Sequence, residues 1–243
     1  MKTRQFIVPI MMAFMIFICT SCIFDLKVIT GKGNIITESR SVTDFTSVEF
    51  QSGADIEIVK GTTFKVSVSD YENIVKYLSA TVENNCLIIR KEPNNVSLWN
   101  SKAKVVITLP DPLYSIKLSG SGNIKVDSSF NDLNILMVSG SGNIEIRRIC
   151  QLNKLEARIA GNGNIDAIGS VQDLYTNISG SGSIRFTEMK AKNATCAISG
   201  SGNTNVFIGD KLEASISGSG NIVYSGNPVV NSHTTGSGRV YKN

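Results

Sequence analysis

The sequence predicts an all-β protein, a parallel β-helix (β-solenoid) with coils of ~20 residues. Two observations carry that prediction. The string SGSGN and close variants of it return through the second half of the chain, and the residues on either side of each copy alternate between apolar and polar. The first glycines of the copies are Gly120, Gly140, Gly161, Gly180, Gly200, Gly218 and Gly236, separated by 20, 21, 19, 20, 18 and 18 residues. A nearly constant period of this size is the mark of stacked structural repeats.

Each element of a coil follows from its residues. The stretches KLEARIAGNGNI and KLEASISGSGNI align Leu155, Ala157 and Ile159 with Leu212, Ala214 and Ile216. Alternation of period two means a strand with one buried face. Two positions before the glycine stand Leu118, Val138, Ile159, Ile178, Ile198, Ile216 and Thr234, whereas four before it the residues are mostly small, as in Ala157, Thr176, Cys196 and Ala214. Like therefore stacks on like. After the bend a second alternating run follows, with Ile124 and Val126, Ile144 and Ile146, Ile184 and Phe186, Ile222 and Tyr224. A helical repeat is excluded, because glycine, serine and asparagine interrupt every apolar run before a helical face can form. Identical bends at a fixed interval favour coils that superpose, each strand pairing in parallel with its equivalent one turn later at ~4.8 Å.

The bend has a reading of its own. Its second glycine (Gly122, Gly142, Gly163, Gly182, Gly202, Gly220, Gly238) is expected at positive φ, which glycine tolerates without strain. The next position is Asn123, Asn143, Asn164, Ser183, Asn203, Asn221 and finally Arg239. Asparagines in register can hydrogen-bond amide to amide along the stack. This column is read as a structural ladder, weakened at Ser183 and ended by Arg239. A phosphate-cradling loop would need a following helix with a P-loop lysine or an acidic ribose partner, and neither follows these glycines.

The N-terminus carries targeting information. Lys2 and Arg4 precede an apolar run over residues 6–18, too short for the ~20 residues of a membrane span. The run ends in Cys19, Thr20, Ser21 and Cys22, a spacing that resembles a bacterial lipobox and implies cleavage before Cys22 and acylation of that cysteine. The expected organisation is a lipoprotein signal peptide over residues 1–21 and a membrane-proximal tether over 22–41. A single β-helix domain then covers 42–243, with irregular early coils over 42–115 and regular coils over 116–243. Within the early region a degenerate bend falls at residues 53–55, a short helix is expected within 71–78, and residues 91–101 read as a polar loop.

Loss of the leader removes two cations and no acid, leaving 22 Lys and Arg against 20 Asp and Glu. A mature chain so close to neutral, with no basic stripe, is not expected to bind nucleic acid. Cys86, Cys150 and Cys196 remain as thiols, an odd number without CxxC spacing, so neither a disulfide framework nor a metal site is expected. The sole histidine, His233, lacks a cysteine or acidic neighbour at ligand spacing. Calcium-binding rolls use a nonapeptide period with aspartate, unlike this one. No cofactor is expected.

The chain resembles the bacterial envelope proteins grouped as auto-transporter adhesin head GIN domains. The resemblance rests on VEFQSGADIEIVKG, YENIVKYLSATVENNCLIIRKE, KVVITLPDPLYSIKLSGSGNI and the SGSGN repeats that follow, in that order over residues 42–243. It implies a right-handed parallel β-helix and a role in adhesion, and it brings no catalytic residues. The translocating barrel of a true autotransporter is absent from this sequence.

Surface chemistry concentrates two positions after the ladder, at Lys125, Glu145, Asp166, Arg185, Asn205, Val223 and Tyr241. Stacking brings Glu145 and Asp166 within ~5 Å between Lys125 and Arg185. Two carboxylates so placed open an enzymatic alternative, a polysaccharide lyase or hydrolase. The simpler reading is an exposed charge ladder whose cations neutralise the acids. The only tryptophan, Trp99, lies in NNVSLWNS and either stacks on sugars or proteins or closes over the core. The function expected is a lipid-anchored, non-catalytic envelope protein presenting a binding or adhesion surface to glycans or envelope proteins. A purely structural or assembly scaffold is the other alternative. Neither the oligomeric state nor the side of the membrane follows from the sequence.

Overall fold

A computed structural model describes residues 26–127 and 130–243, with the side chain of Cys150 also left aside. Residues 1–25, with the leader expected over 1–21 and Cys22, lie outside the described residues.

Strand-forming alternation makes almost the whole body β. The first half contains β1 (Lys27–Thr30), β2 (Ile35–Arg40), β3 (Ser47–Gln51), β4 (Asp55–Lys60), β5 (Lys65–Tyr71), β6 (Leu78–Glu83), β7 (Cys86–Lys91), β8 (Val96–Trp99) and β9 (Lys104–Leu109). Then come β10 (Ser115–Leu118), β11 (Asn123–Val126) and β12 (Ile135–Val138). Four long strands follow, each running through most of a coil: β13 (Asn143–Gly161), β14 (Asn164–Gly180), β15 (Ser183–Gly200) and β16 (Asn203–Gly218). The chain finishes with β17 (Asn221–Gly226), β18 (Val229–Gly236) and β19 (Arg239–Lys242).

From β10 onward each coil pairs in parallel with the next, and the register is the one that the repeats predict. Asn143 lies opposite Asn164, Ile144 opposite Ile165 and Ile159 opposite Ile178. The unequal coil lengths are absorbed away from the bend, where the register shifts between Ile146 and Leu152, between Asp166 and Gly169, and between Phe186 and Lys190. Inside run buried columns such as Leu118, Val138, Ile159, Ile178, Ile198 and Ile216, all members of one continuous core. Each such side chain removed from water stabilises the coil by roughly 1.5–3 kcal/mol before conformational entropy is charged against it.

The first half does not stack in chain order. β3 pairs in parallel with both β7 and β10, and β4 pairs in parallel with both β9 and β11. The coil made by β3 and β4 is therefore sandwiched between the coil of β7 and β9, which comes later in sequence, and that of β10 and β11. Beyond β7 and β9 the solenoid is closed by antiparallel strands, β6 on β7 and β5 on β9, with β2 antiparallel on β5. Reversing the strand direction ends the parallel stack and covers an edge that would otherwise offer unpaired backbone to another chain. At the opposite end β18 and β19 have no strand beyond them among the described residues, and their inward positions turn polar, with Ser232 above Ala214 and Thr234 above Ile216.

Several expectations need correction. The tether proposed over 22–41 does not extend through the described part: β2 belongs to the cap, and β1 forms a separate parallel ribbon with β8. Residues 91–101 are accordingly not a simple polar loop, because they contain β8. Within 71–78 the helix is a single 3-10 turn, Val75–Tyr77. In the bends the positive φ falls on the first glycine of the later copies, +134° at Gly200 and +133° at Gly218, not on the second. The second glycine is required for another reason: a Cβ on Gly163 would lie 2.1 Å from the carbonyl oxygen of Gly142 in the coil below. Backbone stacks on backbone here, and no side chain fits between.

Candidate functional site

The bend column forms a hydrogen-bonded stack. Asn123 Nδ2 donates to Asp55 Oδ1 at 2.9 Å, Asn143 Nδ2 to Asn123 Oδ1 at 2.8 Å and Asn164 Nδ2 to Asn143 Oδ1 at 2.7 Å. Asp55 thus occupies the ladder position in the degenerate bend of residues 53–55. Ser183 cannot carry the amide chain onward, and Asn164 Oδ1 instead accepts a 3.4 Å contact from Arg185 Nη1. The ladder resumes between Asn221 and Asn203 at 3.2 Å.

Outward from it, the register places Lys125 beside Glu145, Glu145 beside Asp166, and Asp166 beside Arg185. Both acids are held by arginines. Arg185 grips Asp166 with two hydrogen bonds, Nε to Oδ1 at 2.6 Å and Nη2 to Oδ2 at 2.8 Å. That bond raises the Arg185 guanidinium above its ordinary pKa, against the opposing effect of partial burial. Arg147 Nε lies 3.2 Å from Glu145 Oε1 and 3.2 Å from Asp127 Oδ1, and its pKa is raised chiefly by the hydrogen bond to Glu145. Arg147 has a sequence signal in hindsight: two residues after Glu145 in a strand, it shares the outward face. Lys125 has no ion-pair partner among the described residues. The resulting cleft of ≈ 370 Å³ is lined by Glu145, Arg147, Asp166, Arg185, Glu188 and the apolar edge of Ile168. A glycosidase needs one carboxyl kept protonated near neutrality and a second free to attack or to activate water. Here each carboxylate instead faces a guanidinium partner, Glu145 that of Arg147 and Asp166 that of Arg185, an arrangement that compensates charge on the surface.

A larger open groove of ≈ 960 Å³ lies where the β8 excursion passes the bends of the early coils. Ser52, Asp55 and Ser121 line it from the bends, and Ser97, Asn100 and Lys102 from the excursion. Lys91 and Lys104 bring the ammonium groups to three; Lys104 pairs with Glu57 at 3.0 Å, while Lys91 and Lys102 have no acidic partner among the described residues. Hydroxyls, amides and cations set on rigid backbone suit a polar, extended ligand better than a small apolar one. No sequence pattern announces this groove, because it depends on β7 to β9 stacking out of chain order.

Trp99 does not close over the core. It is strongly exposed at the end of β8, with Val28 and Leu26 exposed nearby on β1 and just before it. His233 is exposed in β18 beside Ser215. Among the described residues no three His, Cys, Asp or Glu side chains converge to hold a metal ion.

Fold and surface together define a single-chain parallel β-solenoid with polar, charge-compensated faces. The chain belongs to the family described as "Putative auto-transporter adhesin, head GIN domain", whose model matches residues 44–228. Three solved structures are similar to it. A protein of Parabacteroides distasonis described as a "putative lipid binding protein" is 27% identical with a TM-score of 0.74, covering 89% of this chain and 100% of its own. A "putative adhesin" of Bacteroides fragilis is 22% identical with a TM-score of 0.79, covering 88% and 100%. One of Parabacteroides merdae is 21% identical with a TM-score of 0.68, covering 89% and 99%. Among curated proteins nothing matches the chain.

Proposed function

We propose that this chain is a lipid-anchored protein of the bacterial cell envelope, held in the outer membrane through acylated Cys22. Its solenoid presents a non-catalytic binding or adhesion surface to glycans or envelope proteins. The observation that carries the reading is the pairing of Glu145 with Arg147 and of Asp166 with Arg185, which leaves a polar, charge-compensated surface suited to binding. Membership of a family described by adhesion supports the same class of role. The serine- and lysine-lined groove beside Asn100 and the charged cleft at Arg185 are the surfaces offered to such a ligand. Both are shallow and continuous with the stack, a geometry that suits chains longer than one sugar.

The test is to incubate purified protein with envelope polysaccharides and follow both retention and chain length. The expected result is retention that weakens in Lys91→Glu/Lys102→Glu, with polymer length unchanged. Cleavage that disappears in Glu145→Ala/Asp166→Ala would replace this reading with the hydrolase.

A further inference from the structure

The β1–β8 ribbon stands apart from the main sheet and is fixed to the body at both ends. Gly31 N–H donates to the Trp99 carbonyl at 2.9 Å, and Asn73 clamps the same end, donating to the Thr30 carbonyl at 2.8 Å and accepting from Lys32 N–H at 2.9 Å. Beside that same end the buried carboxylate of Asp70 accepts from Ser101 Oγ at 2.6 Å and from Lys102 N–H at 2.9 Å, and at the start of the excursion Glu92 N–H donates to the Tyr77 carbonyl at 2.8 Å. The ribbon is therefore a rigid part of the cap end and not a loose strap.

Its two faces differ in kind. Val96 is buried and Leu98 and Ile29 are half-buried, so these face the body. In the parallel register Val28 lies opposite Ser97 and Thr30 opposite Trp99, and this second face looks outward. On it Trp99 is 68% exposed, Val28 61%, and the adjoining Leu26 51%. A large aromatic and two aliphatic side chains held in water without cover mark a contact surface. The charges flanking the patch along the sequence are mixed, Lys27, Lys32 and Lys102 against Asp25 and Glu92.

The length of chain outside the described structure identifies what covers that face. Four residue steps separate Cys22 from Leu26, a reach of at most ~14 Å when fully extended. An acyl group on Cys22 inserted in a bilayer therefore holds this face at the membrane surface.

We propose that the outward face of the β1–β8 ribbon is a membrane seat. Trp99 and Val28 rest at the headgroup level, with Lys32 beside them toward the lipid phosphates. The proposal rests on the Cys22 anchor of the preceding reading. Indole rings favour the boundary between headgroups and acyl chains, where one edge is apolar and the N–H stays wet. A short apolar patch with a flanking lysine adds a second attachment to the lipid and fixes an orientation: the capped end lies on the membrane, and the coils from β10 onward project away from it.

Trp99 is the only tryptophan in the chain, so its fluorescence reports this face alone. The experiment takes the native protein from membranes, reads acylation of Cys22 by mass spectrometry, and reconstitutes it into vesicles of phosphatidylethanolamine and phosphatidylglycerol. The expected result is blue-shifted Trp99 emission, quenching by lipids brominated near the carbonyl, and protection from acrylamide. Val28→Asp should return the emission toward that of exposed indole while acylation and the circular dichroism spectrum stay unchanged. Acylated protein whose Trp99 emission matches an exposed indole and ignores brominated lipid would overturn the seat and leave the anchor standing. An unacylated Cys22 would overturn both. A blue shift that grows with protein concentration in the absence of lipid would assign the face to a second copy of the chain and overturn the seat.

Discussion

Asn164 Nδ2 donates to Asn143 Oδ1 at 2.7 Å across adjacent coils, and Asn143 passes the pattern on to Asn123 at 2.8 Å. Asn143 thus accepts from an asparagine in the coil above and donates to an asparagine in the coil below. Asn143→Ala breaks two bonds at partly exposed positions and is expected to cost about 1 kcal/mol. Ser183→Asn should work the other way, by bridging the gap between Asn164 and Asn203, with a gain of some tenths to about 1 kcal/mol. Urea unfolding of the two variants measures both, and equal stability in all three proteins would reduce the column to solvated decoration.

The glycines divide into those that stacking forbids changing and those it does not. Gly163→Ala forces a Cβ to 2.1 Å from the Gly142 carbonyl oxygen, a clash with backbone that must pry two coils apart. A loss of at least ~3 kcal/mol, or failure to fold, is expected from overpacking against an unyielding ladder. Gly209 meets no atom nearer than 3.8 Å. Gly209→Ala should be neutral or raise stability by up to about 1 kcal/mol, by restricting the unfolded chain. Thermal melts of the pair separate close approach from a general preference for glycine in coils.

Thr204 stands in an isoleucine column, opposite Ile184 below and Ile222 above, and its buried Oγ1 has no hydrogen-bond partner among the described residues. A hydroxyl desolvated without a partner is destabilising. Thr204→Val keeps the shape and removes the unpaired group, so a gain of about 1 kcal/mol is expected in chemical denaturation. A loss would mean that the hydroxyl is satisfied.

Cys196 is fully buried between Thr176 and Ala214, and burial pushes its thiol pKa up to about 11 from 9.0, with the neighbouring Thr176 hydroxyl acting weakly in the opposite direction. The folded state holds this proton more tightly than the unfolded chain does. The thiol's contribution is therefore fully present below pH 9 and is lost as pH rises through about 11. Stability of the wild type should fall over that interval by roughly 2–3 kcal/mol more than that of Cys196→Ala, which matches the alanines elsewhere in its column. Parallel pH profiles of the two proteins would contradict the assignment.

How much of this was legible in the sequence depended on whether stacking order followed chain order. From Gly120 onward it does, so counting from one glycine to the next placed Glu145 beside Asp166 and Cys196 beside Ala214 before any coordinates. Before Gly120 it does not. Lys27 pairs with Val96 and Ser47 with both Cys86 and Ser115, and nothing local in those strands marks partners so distant. The tether assigned to 22–41 failed for that reason: β1 and β2 are mostly exposed and carry no alternating buried face, and their partners make them strands. The φ of the bend was misplaced by two residues because either glycine satisfies a rule about positive φ, and both glycines also stack closely on the carbonyls below, so composition alone does not separate their roles. The arginine closure of the acids was half legible, since Arg185 follows from the period, whereas the contact of Arg147 to both Glu145 and Asp127 depends on side-chain geometry.

The central claim, display of this solenoid from a lipid anchor at the envelope, is tested most directly by fractionating cells that express the wild type or Cys22→Ala and measuring the intact mass of each product. The account predicts a wild-type protein in the membrane pellet whose mature chain begins at acylated Cys22, and a Cys22→Ala protein that leaves the membrane fraction. A wild-type protein recovered in soluble form, or with an unmodified Cys22, would contradict it.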